Sequence, residues 1–234
     1  MDEVELSVNE DSKPAKRKLF IGYYRMWTML TYLSIVSAIA GMAFALNGDI
    51  VLAIICLMAC GLCDMLDGPV ARRSKRNERE KSFGVQVDSL ADLVNFGALP
   101  IVIGYALGFS EYTQENYTLR VTAFIVVAVI YVLAALIRLA YFNTIEIELQ
   151  QKKEKRKYYV GMPVTFISVL TPLTYTICYL INAPFAFVYP AVLLATAVAF
   201  LSRIKIPKIK ERYLVVYLLI GLPLVVFMVW SLGN

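Results

Sequence analysis

Seven blocks of mostly apolar residues run through this chain, and they constrain its fold more than any other feature. The blocks are Trp27–Asn47, Asp49–Ala71, Phe83–Gly108, Tyr117–Asn143, Tyr159–Ile181, Pro184–Leu201 and Tyr213–Leu232. A bilayer crossing needs about 20 such residues, and lipid offers the backbone no hydrogen-bond partners, so each block is predicted to be a helix. The composition agrees, because 59% hydrophobic and 18% charged residues are unlike a soluble domain. We therefore predict an all-α polytopic membrane helix bundle.

Basic residues cluster in four of the segments outside these blocks. Of the 23 Lys and Arg residues, all but Arg120 and Arg138 lie before the first block or in the loops after the second, fourth and sixth. Seven threaded helices place these four segments on one side of the membrane. The positive-inside rule then predicts a cytoplasmic N-terminus and a C-terminus outside the cell membrane. Topology and attraction to anionic membrane lipids account for the net charge of +5, so no nucleic-acid partner is predicted.

The four cysteines all lie inside the apolar blocks. Cys60 and Cys63 form a C-x-x-C pair, with Cys56 and Cys178 elsewhere. The chain has no His and no second such pair, which argues against a zinc site. Their apolar surroundings favour helix packing over a redox role.

Four aspartates stand at the end of the second block and the start of the third, where ionisable side chains are costly. Asp64 and Asp67 are spaced i, i+3, and Asp88 and Asp92 are spaced i, i+4, so each pair shares a helix face. Two consecutive antiparallel helices bring the pairs to one depth. Carboxylates without His or Cys favour Mg²⁺, Mn²⁺ or Ca²⁺, and four of them suit two ions, as used in phosphoryl transfer. A structural ion-pair network is the alternative.

Small and basic residues flank these aspartates. Gly68 and Ala71 follow in the second block, and Gly84 precedes the second pair by one turn. They would leave room for a bulky ligand, and Arg72 offers a guanidinium to phosphate oxygens. Helix packing would explain the glycines if they stood alone.

Written out, the two stretches are Asp64-Met-Leu-Asp67-Gly68-Pro-Val-Ala71-Arg72 and Gly84-Val-Gln-Val-Asp88-Ser-Leu-Ala-Asp92. This pattern resembles the signature D-x-x-D-G-x-x-A-R…G-x-x-x-D-x-x-x-D of the CDP-alcohol phosphotransferase family, with a longer charged turn between its halves. Further stretches are similar to the phosphatidylserine synthase branch, namely 88–100, 138–143, 161–163 and 202–207.

The resemblance covers roughly residues 27–210, which would form the six-helix membrane domain of the family. Residues 1–26 would be a cytoplasmic N-terminal segment, either a short interfacial helix or an extended lead-in. Residues 211–234 would be an additional C-terminal transmembrane span.

Members of this family transfer a phosphoalcohol group from a CDP-linked donor to an alcohol and release CMP. The resemblance implies that Asp64, Asp67 and Asp88 hold two ions of Mg²⁺ or Mn²⁺. It implies that Asp92 shares one of these ions and acts as the general base. It implies contacts to the cytidine diphosphate from Gly68, Ala71, Arg72 and Gly84.

The serine branch implies L-serine as acceptor and CDP-diacylglycerol, or an ether-linked analogue, as donor. Arg138 lies about one turn inside the fourth block, and we expect it to face a polar cavity and bind the serine carboxylate or a lipid phosphate. Arg203 and Lys205 are similar candidates, with snorkelling to the interface as an equally open alternative.

Three other functions stay open at this point. The same chemistry could use another acceptor, such as glycerol phosphate, inositol phosphate or a second lipid. A divalent-cation transporter could use the aspartates as its ion site, although transporters usually place such groups near the midplane within repeats. A lipid-binding scaffold without turnover is the third. Homodimers are common in the resembled family, and the sequence leaves the oligomeric state open.

Overall fold

A computed structural model describes residues 22–73, 77–110, 117–152, 158–203, 205–207 and 212–231 of the 234-residue chain. Its helices are α1 (Met26–Leu46), α2 (Ile50–Arg73), α3 (Glu78–Asp92), α4 (Leu99–Ser110), α5 (Tyr117–Lys152), α6 (Ile167–Leu180), α7 (Phe185–Leu201) and α8 (Arg212–Ser231). A π-helical segment, Leu93–Ala98, joins α3 to α4 in one continuous rod. Each predicted block therefore overlaps one helical rod of the described chain, and the predicted all-α membrane bundle is confirmed.

Four of these rods are long and apolar enough to cross a membrane, as judged by length and composition over the described residues. They are Thr28–Leu46, Ile50–Val70, Glu78–Leu107 and Thr118–Ile145. The apolar helices Val164–Leu180, Phe185–Leu201 and Tyr217–Ser231 are shorter. The long rods thus all lie within residues 28–145, and two of them carry the aspartates.

The fifth predicted block is the one whose start differs most from the structure. Residues Tyr158–Val160 form a strand, β1, that pairs antiparallel with β2 (Lys205–Pro207). A 3₁₀ turn, Val164–Phe166, then leads into α6. A helix cannot begin at Tyr159 because Gly161 has φ +74° and Pro163 is extended with ψ 141°. The ribbon ties the α5–α6 connection to the α7–α8 connection on one face of the bundle.

Two other helices are longer than their apolar blocks. Helix α3 begins at Glu78 rather than Phe83, and α5 runs to Lys152 rather than Asn143. Both extensions are polar, so hydrophobicity alone did not reveal them. Residues 22–25 are not helical, and the rest of the proposed interfacial segment lies outside the described residues.

The core is built from apolar side chains of every rod, with α1 packed along α2 and α5 along α7. Its largest fully buried side chains include Ile54, Leu57, Phe96, Tyr131 and Tyr189. The two buried tyrosines keep hydrogen-bond partners, because Tyr131 donates to the Phe96 carbonyl oxygen at 2.6 Å and the Tyr189 hydroxyl lies 3.2 Å from Thr171 Oγ1. Tyr131 thus binds a carbonyl of the π-helical segment, whose altered ladder leaves backbone groups to be satisfied by side chains.

A test of this packing concerns Gly161, which combines a positive φ with a close approach to the end of α7. A Cβ there would lie 2.7 Å from the Ser202 carbonyl oxygen and 3.0 Å from that of Phe200. We expect Gly161→Ala to lower the free energy of unfolding by about 2–4 kcal/mol, through backbone strain plus overpacking. Gly48 is the matched control, because its φ is +91° with nothing within 4 Å of a Cβ. Gly48→Ala should cost only about 1–2 kcal/mol.

Denaturant titration of both variants in mixed micelles measures this difference. Equal losses for the two variants would mean that the approach of Gly161 to α7 is looser than described.

Candidate active site

The four aspartates meet at one end of the bundle, between the last turns of α2 and the last two turns of α3. One carboxylate oxygen from each of Asp64, Asp88 and Asp92 lies within 4.8 Å of the others. The Asp64 carboxyl adjoins that of Asp92, and the Asp67 carboxyl adjoins that of Asp88. We call these four residues the aspartate cluster. Carboxylates this close repel one another unless a cation or a proton lies between them.

Helix α1 contributes a polar side chain to this cluster. Thr31, which is buried, donates from Oγ1 to Asp67 Oδ2 at 3.4 Å. One turn further along α1, Ser34 Oγ accepts from Asn95 Nδ2 at 2.9 Å. Asn95 follows Asp92 by three residues within the π-helical segment. Buried hydrogen bonds from α1 therefore reach both aspartate-bearing rods.

The geometry of the cluster fits a hard divalent cation. Oxygen ligands on opposite sides of Mg²⁺ are about 4.2 Å apart, and around Ca²⁺ about 5 Å apart. Oxygens of Asp64, Asp88 and Asp92 within 4.8 Å of one another can thus share one ion. The donor set is carboxylate oxygen alone, which suits Mg²⁺, Mn²⁺ or Ca²⁺ rather than softer metals.

Two glycines extend the aspartate faces toward the end of the bundle. Gly68 lies one turn beyond Asp64 on α2, and Gly84 lies one turn before Asp88 on α3, so both continue the face of an aspartate. Both are half-buried. Ala71 and Arg72 belong to the last turn of α2, but their side chains lie outside the described part of the structure. Neither glycine adds a side chain to the approach to the cluster.

Capping interactions hold the first turn of α3. Asn77 Oδ1 accepts from the Glu80 backbone N–H at 2.7 Å, and Glu80 Oε2 accepts from the Asn77 N–H at 3.0 Å. Such a reciprocal capping box stabilises a helix start. Buried Glu80 also pairs with Arg25 at 3.5 Å, which ties α3 to the start of α1.

Helix α5 braces α3 beside the cluster. Ser89, which follows Asp88 directly, donates from Oγ to Asn143 Oδ1 at 2.7 Å. The polar extension of α5 beyond its apolar block begins at this contact.

The three basic residues predicted to bind an anion lie in different surroundings. Arg138 is buried, with its guanidinium 4.3 Å from the centroid of the Phe142 ring. A Cβ at Gly161 would lie 3.1 Å from Arg138 Nη1 and 2.7 Å from the Ser202 carbonyl oxygen. Arg138 therefore sits beside the carbonyl end of α7, where positive charge is favourable. Arg203 is exposed just after α7, and the side chain of Lys205 lies outside the described residues.

The described cysteine contacts agree with a packing role. Cys60 is buried, and its thiol donates to the Ser34 carbonyl oxygen at 3.2 Å. A Cβ on Gly41 would lie 2.8 Å from the Cβ of Cys56. Small side chains thus let α1 and α2 approach closely.

Four polar residues around the site did not emerge as site residues from the sequence: Thr31, Ser34, Ser89 and Asn95. A signal for the first two was present, since Thr28, Thr31 and Ser34 recur every three residues in an apolar helix. All three are buried. The contacts of Thr31 with Asp67 and of Ser34 with Asn95 could not be predicted from spacing, because they join different helices.

Comparison with known proteins identifies the family to which the chain belongs. Residues 26–231 match the CDP-alcohol phosphatidyltransferase family. The chain is 33% identical over 152 residues to the CDP-diacylglycerol–serine O-phosphatidyltransferase of Mycobacterium leprae, covering 65% of this chain and 46% of that protein. It is 36% identical over 121 residues to the protein of the same name from Saccharomyces cerevisiae, covering 50% and 39%. An archaetidylserine synthase of Methanothermobacter thermautotrophicus is 25% identical over 181 residues, covering 77% and 69%.

The match to the first two relatives spans less than half of their length. Their names nevertheless confirm the likeness to the phosphatidylserine synthase branch. The match to the family runs from the start of α1 to the end of α8 and includes the whole aspartate cluster. With its long apolar helices and this match, the chain is an integral membrane protein that belongs to the CDP-alcohol phosphatidyltransferase family.

Proposed function

We propose that this protein transfers a phosphatidyl group from CDP-diacylglycerol, or its ether-linked counterpart, to the hydroxyl of L-serine and releases CMP. The observation that carries the proposal is the convergence of Asp64, Asp88 and Asp92 within 4.8 Å, in a chain of this family. The names of the relatives supply the serine acceptor, and the archaetidylserine synthase among them supports an ether-linked donor.

Asp92 acts as the general base. An aliphatic hydroxyl is a poor nucleophile at neutral pH, so a carboxylate within hydrogen-bond reach must accept its proton. The serine oxygen forms a bond to the lipid-proximal phosphorus, the bond from that phosphorus to the CMP oxygen breaks, and the serine proton passes to Asp92. The position of Asp92 supports this assignment, since one of its carboxylate oxygens lies within 4.8 Å of those of Asp64 and Asp88 and so beside the proposed cation site.

The remaining aspartates bind the cation. Asp64, Asp67 and Asp88 would hold Mg²⁺ or Mn²⁺, and Asp92, which has a carboxylate oxygen within 4.8 Å of those of Asp64 and Asp88, would share one ion. Two ions match four carboxylates, and Ca²⁺ fits the same oxygens. Such ions, when bound, stabilise negative charge on a diphosphate and on departing CMP. Thr31 restrains Asp67 for this task, since its hydroxyl is the described donor to that carboxylate.

The glycine-lined approach receives the nucleotide. Gly68 and Gly84 let the cytidine diphosphate come close to both helices, and Ala71 and Arg72 complete the contact at the end of α2. Arg72 suits this role because a guanidinium pairs with phosphate oxygens through two parallel hydrogen bonds.

Basic residues at the same end of the bundle bind the anionic parts of the substrates. Arg138 is assigned to the serine carboxylate or a lipid phosphate, in addition to its place beside the carbonyl end of α7. Arg203 and Lys205 flank the same end and take the lipid phosphate. The aspartate cluster and the β1–β2 ribbon both lie at this end of the bundle. The basic loops assign this end to the cytoplasm, and the C-terminus of the chain to the outside of the membrane. A homodimer stays a prediction from the family.

The decisive experiment measures CMP release by the purified protein from a CDP-linked lipid, with serine present or withheld. We expect serine to raise CMP release by at least tenfold and to appear in the lipid product. Parallel arms contain glycerol phosphate, inositol phosphate, and a donor with ether-linked chains.

Release that responds to a phosphorylated alcohol and not to serine would overturn the acceptor while leaving the reaction class intact. Divalent-cation flux into proteoliposomes without any CMP release would instead favour a transporter.

A further inference from the structure

Helix α8 packs against α2, the helix that carries Asp64 and Asp67, and one of its contacts is made by a buried tyrosine. The hydroxyl of Tyr217 donates to the Met58 carbonyl oxygen of α2 at 2.7 Å and lies 3.2 Å from Ser168 Oγ of α6. Only 6% of Tyr217 is exposed. A phenol hydroxyl buried among apolar helices requires such a partner, so this contact fixes where α8 meets α2.

The next turn of α2 leaves no room for a side chain beside this contact. A Cβ at Gly61 would collide with Ser168 Oγ and lie 2.6 Å from the Tyr217 hydroxyl. Glycine is therefore needed for three helices to meet at one point. Ser168 Oγ also donates to the Thr165 carbonyl oxygen at 2.6 Å, so its own orientation is set by the turn that opens α6.

This crossing point lies directly beneath the aspartate cluster. Asp64 follows Gly61 by three residues, less than one helical turn. Between this crossing and the end of α2 lies Pro69, which removes one hydrogen bond from the helix ladder. The position of Asp64 is therefore set by the tightly packed Met58–Gly61 turn rather than by the end of α2.

We propose that Tyr217 is a positioning residue for the cation site, and that α8 serves to hold the Met58–Gly61 turn so that Asp64 meets Asp88 and Asp92. The inference rests on the proposed function, because it takes the cluster to be a cation site. It gives α8 a role in that site although α8 supplies no ligand. In this role Tyr217 acts through the backbone of α2, to which its hydroxyl donates, and not as a cation ligand.

The experiment is direct Mn²⁺ binding to the purified full chain in detergent, followed by the electron paramagnetic resonance signal of free Mn²⁺, with no substrate present. Tyr217→Phe keeps the ring and removes the hydroxyl. We expect it to weaken Mn²⁺ binding about fivefold, the scale of one lost hydrogen bond. Tyr141→Phe is the matched control, because Tyr141 is 54% exposed on α5, and it should bind Mn²⁺ as the wild type does.

Thermal unfolding of the same samples separates positioning from simple packing. A residue that only packs would lower the melting temperature and leave Mn²⁺ affinity at low temperature unchanged, and that result would overturn the proposal. If Tyr217→Phe does not fold, Ser168→Ala decides, since it loosens the same crossing. At least twofold weaker Mn²⁺ binding supports the proposal, and unchanged binding rejects it.

Mn²⁺ binding by the wild type separates the role of Tyr217 from the existence of the cation site. Mn²⁺ binding by the wild type that is equally strong in Tyr217→Phe rejects the role of Tyr217 alone. Absence of Mn²⁺ binding in the wild type rejects the cation site of the proposed function, and the role of Tyr217 falls with it.

Discussion

Asp92→Asn is expected to lower the rate of serine-dependent CMP release about 10³-fold while binding of the CDP-linked donor stays near the wild-type level. The reason is that a positioned general base contributes about 10²- to 10⁴-fold to a rate, and an amide cannot accept the hydroxyl proton. Asparagine keeps the shape of the side chain and one oxygen that can still face a cation. Asp64, Asp67 and Asp88 remain to hold the donor through that cation. Single-turnover CMP release and equilibrium binding of the donor are the two measurements.

A titration with Mg²⁺ distinguishes a base from a mere ligand at this position. If Asp92 only held a cation, a high Mg²⁺ concentration would restore turnover in Asp92→Asn, and the assignment as base would be wrong. Asp49→Asn is the control, because Asp49 lies in the short α1–α2 connection at the opposite end of the bundle. It should behave as the wild type.

Asp67→Asn is expected to raise the Mg²⁺ concentration for half-maximal activity at least tenfold and to weaken donor binding in parallel. One negative charge is lost from a cluster in which Asp67 adjoins Asp88, and a tenfold change corresponds to about 1.4 kcal/mol. The turnover rate at saturating Mg²⁺ should fall far less than in Asp92→Asn. Activity measured against Mg²⁺ concentration, together with donor binding at each concentration, tests both parts.

Thr31→Val provides a graded comparison for Asp67. It keeps the size of the side chain and removes the hydroxyl that donates to Asp67 Oδ2 at 3.4 Å. The Mg²⁺ requirement should shift in the same direction by a smaller factor. An unchanged Mg²⁺ requirement in Asp67→Asn would exclude Asp67 from the cation site.

Much of the fold followed from properties that are local in sequence. Apolar blocks of membrane-spanning length predicted the helical rods, because lipid leaves the backbone only its own hydrogen bonds. The structure departs from those blocks where hydrophobicity carries no information, as in the polar first turn of α3 capped by Asn77. It departs again at Gly161, where a positive φ and the following Pro163 delay α6.

The sequence by itself determined the rods, the shared face of each aspartate pair and the family motif, because helical periodicity places residues three or four apart on one side. Only the tertiary structure decided that three carboxylates share one point while Asp67 binds Thr31, that Arg138 lies beside the end of α7, and that Tyr217 reaches Met58. These are contacts between helices far apart in the chain. Their distances depend on how closely the helices pack, which small residues such as Gly61 allow and which no spacing along one helix encodes.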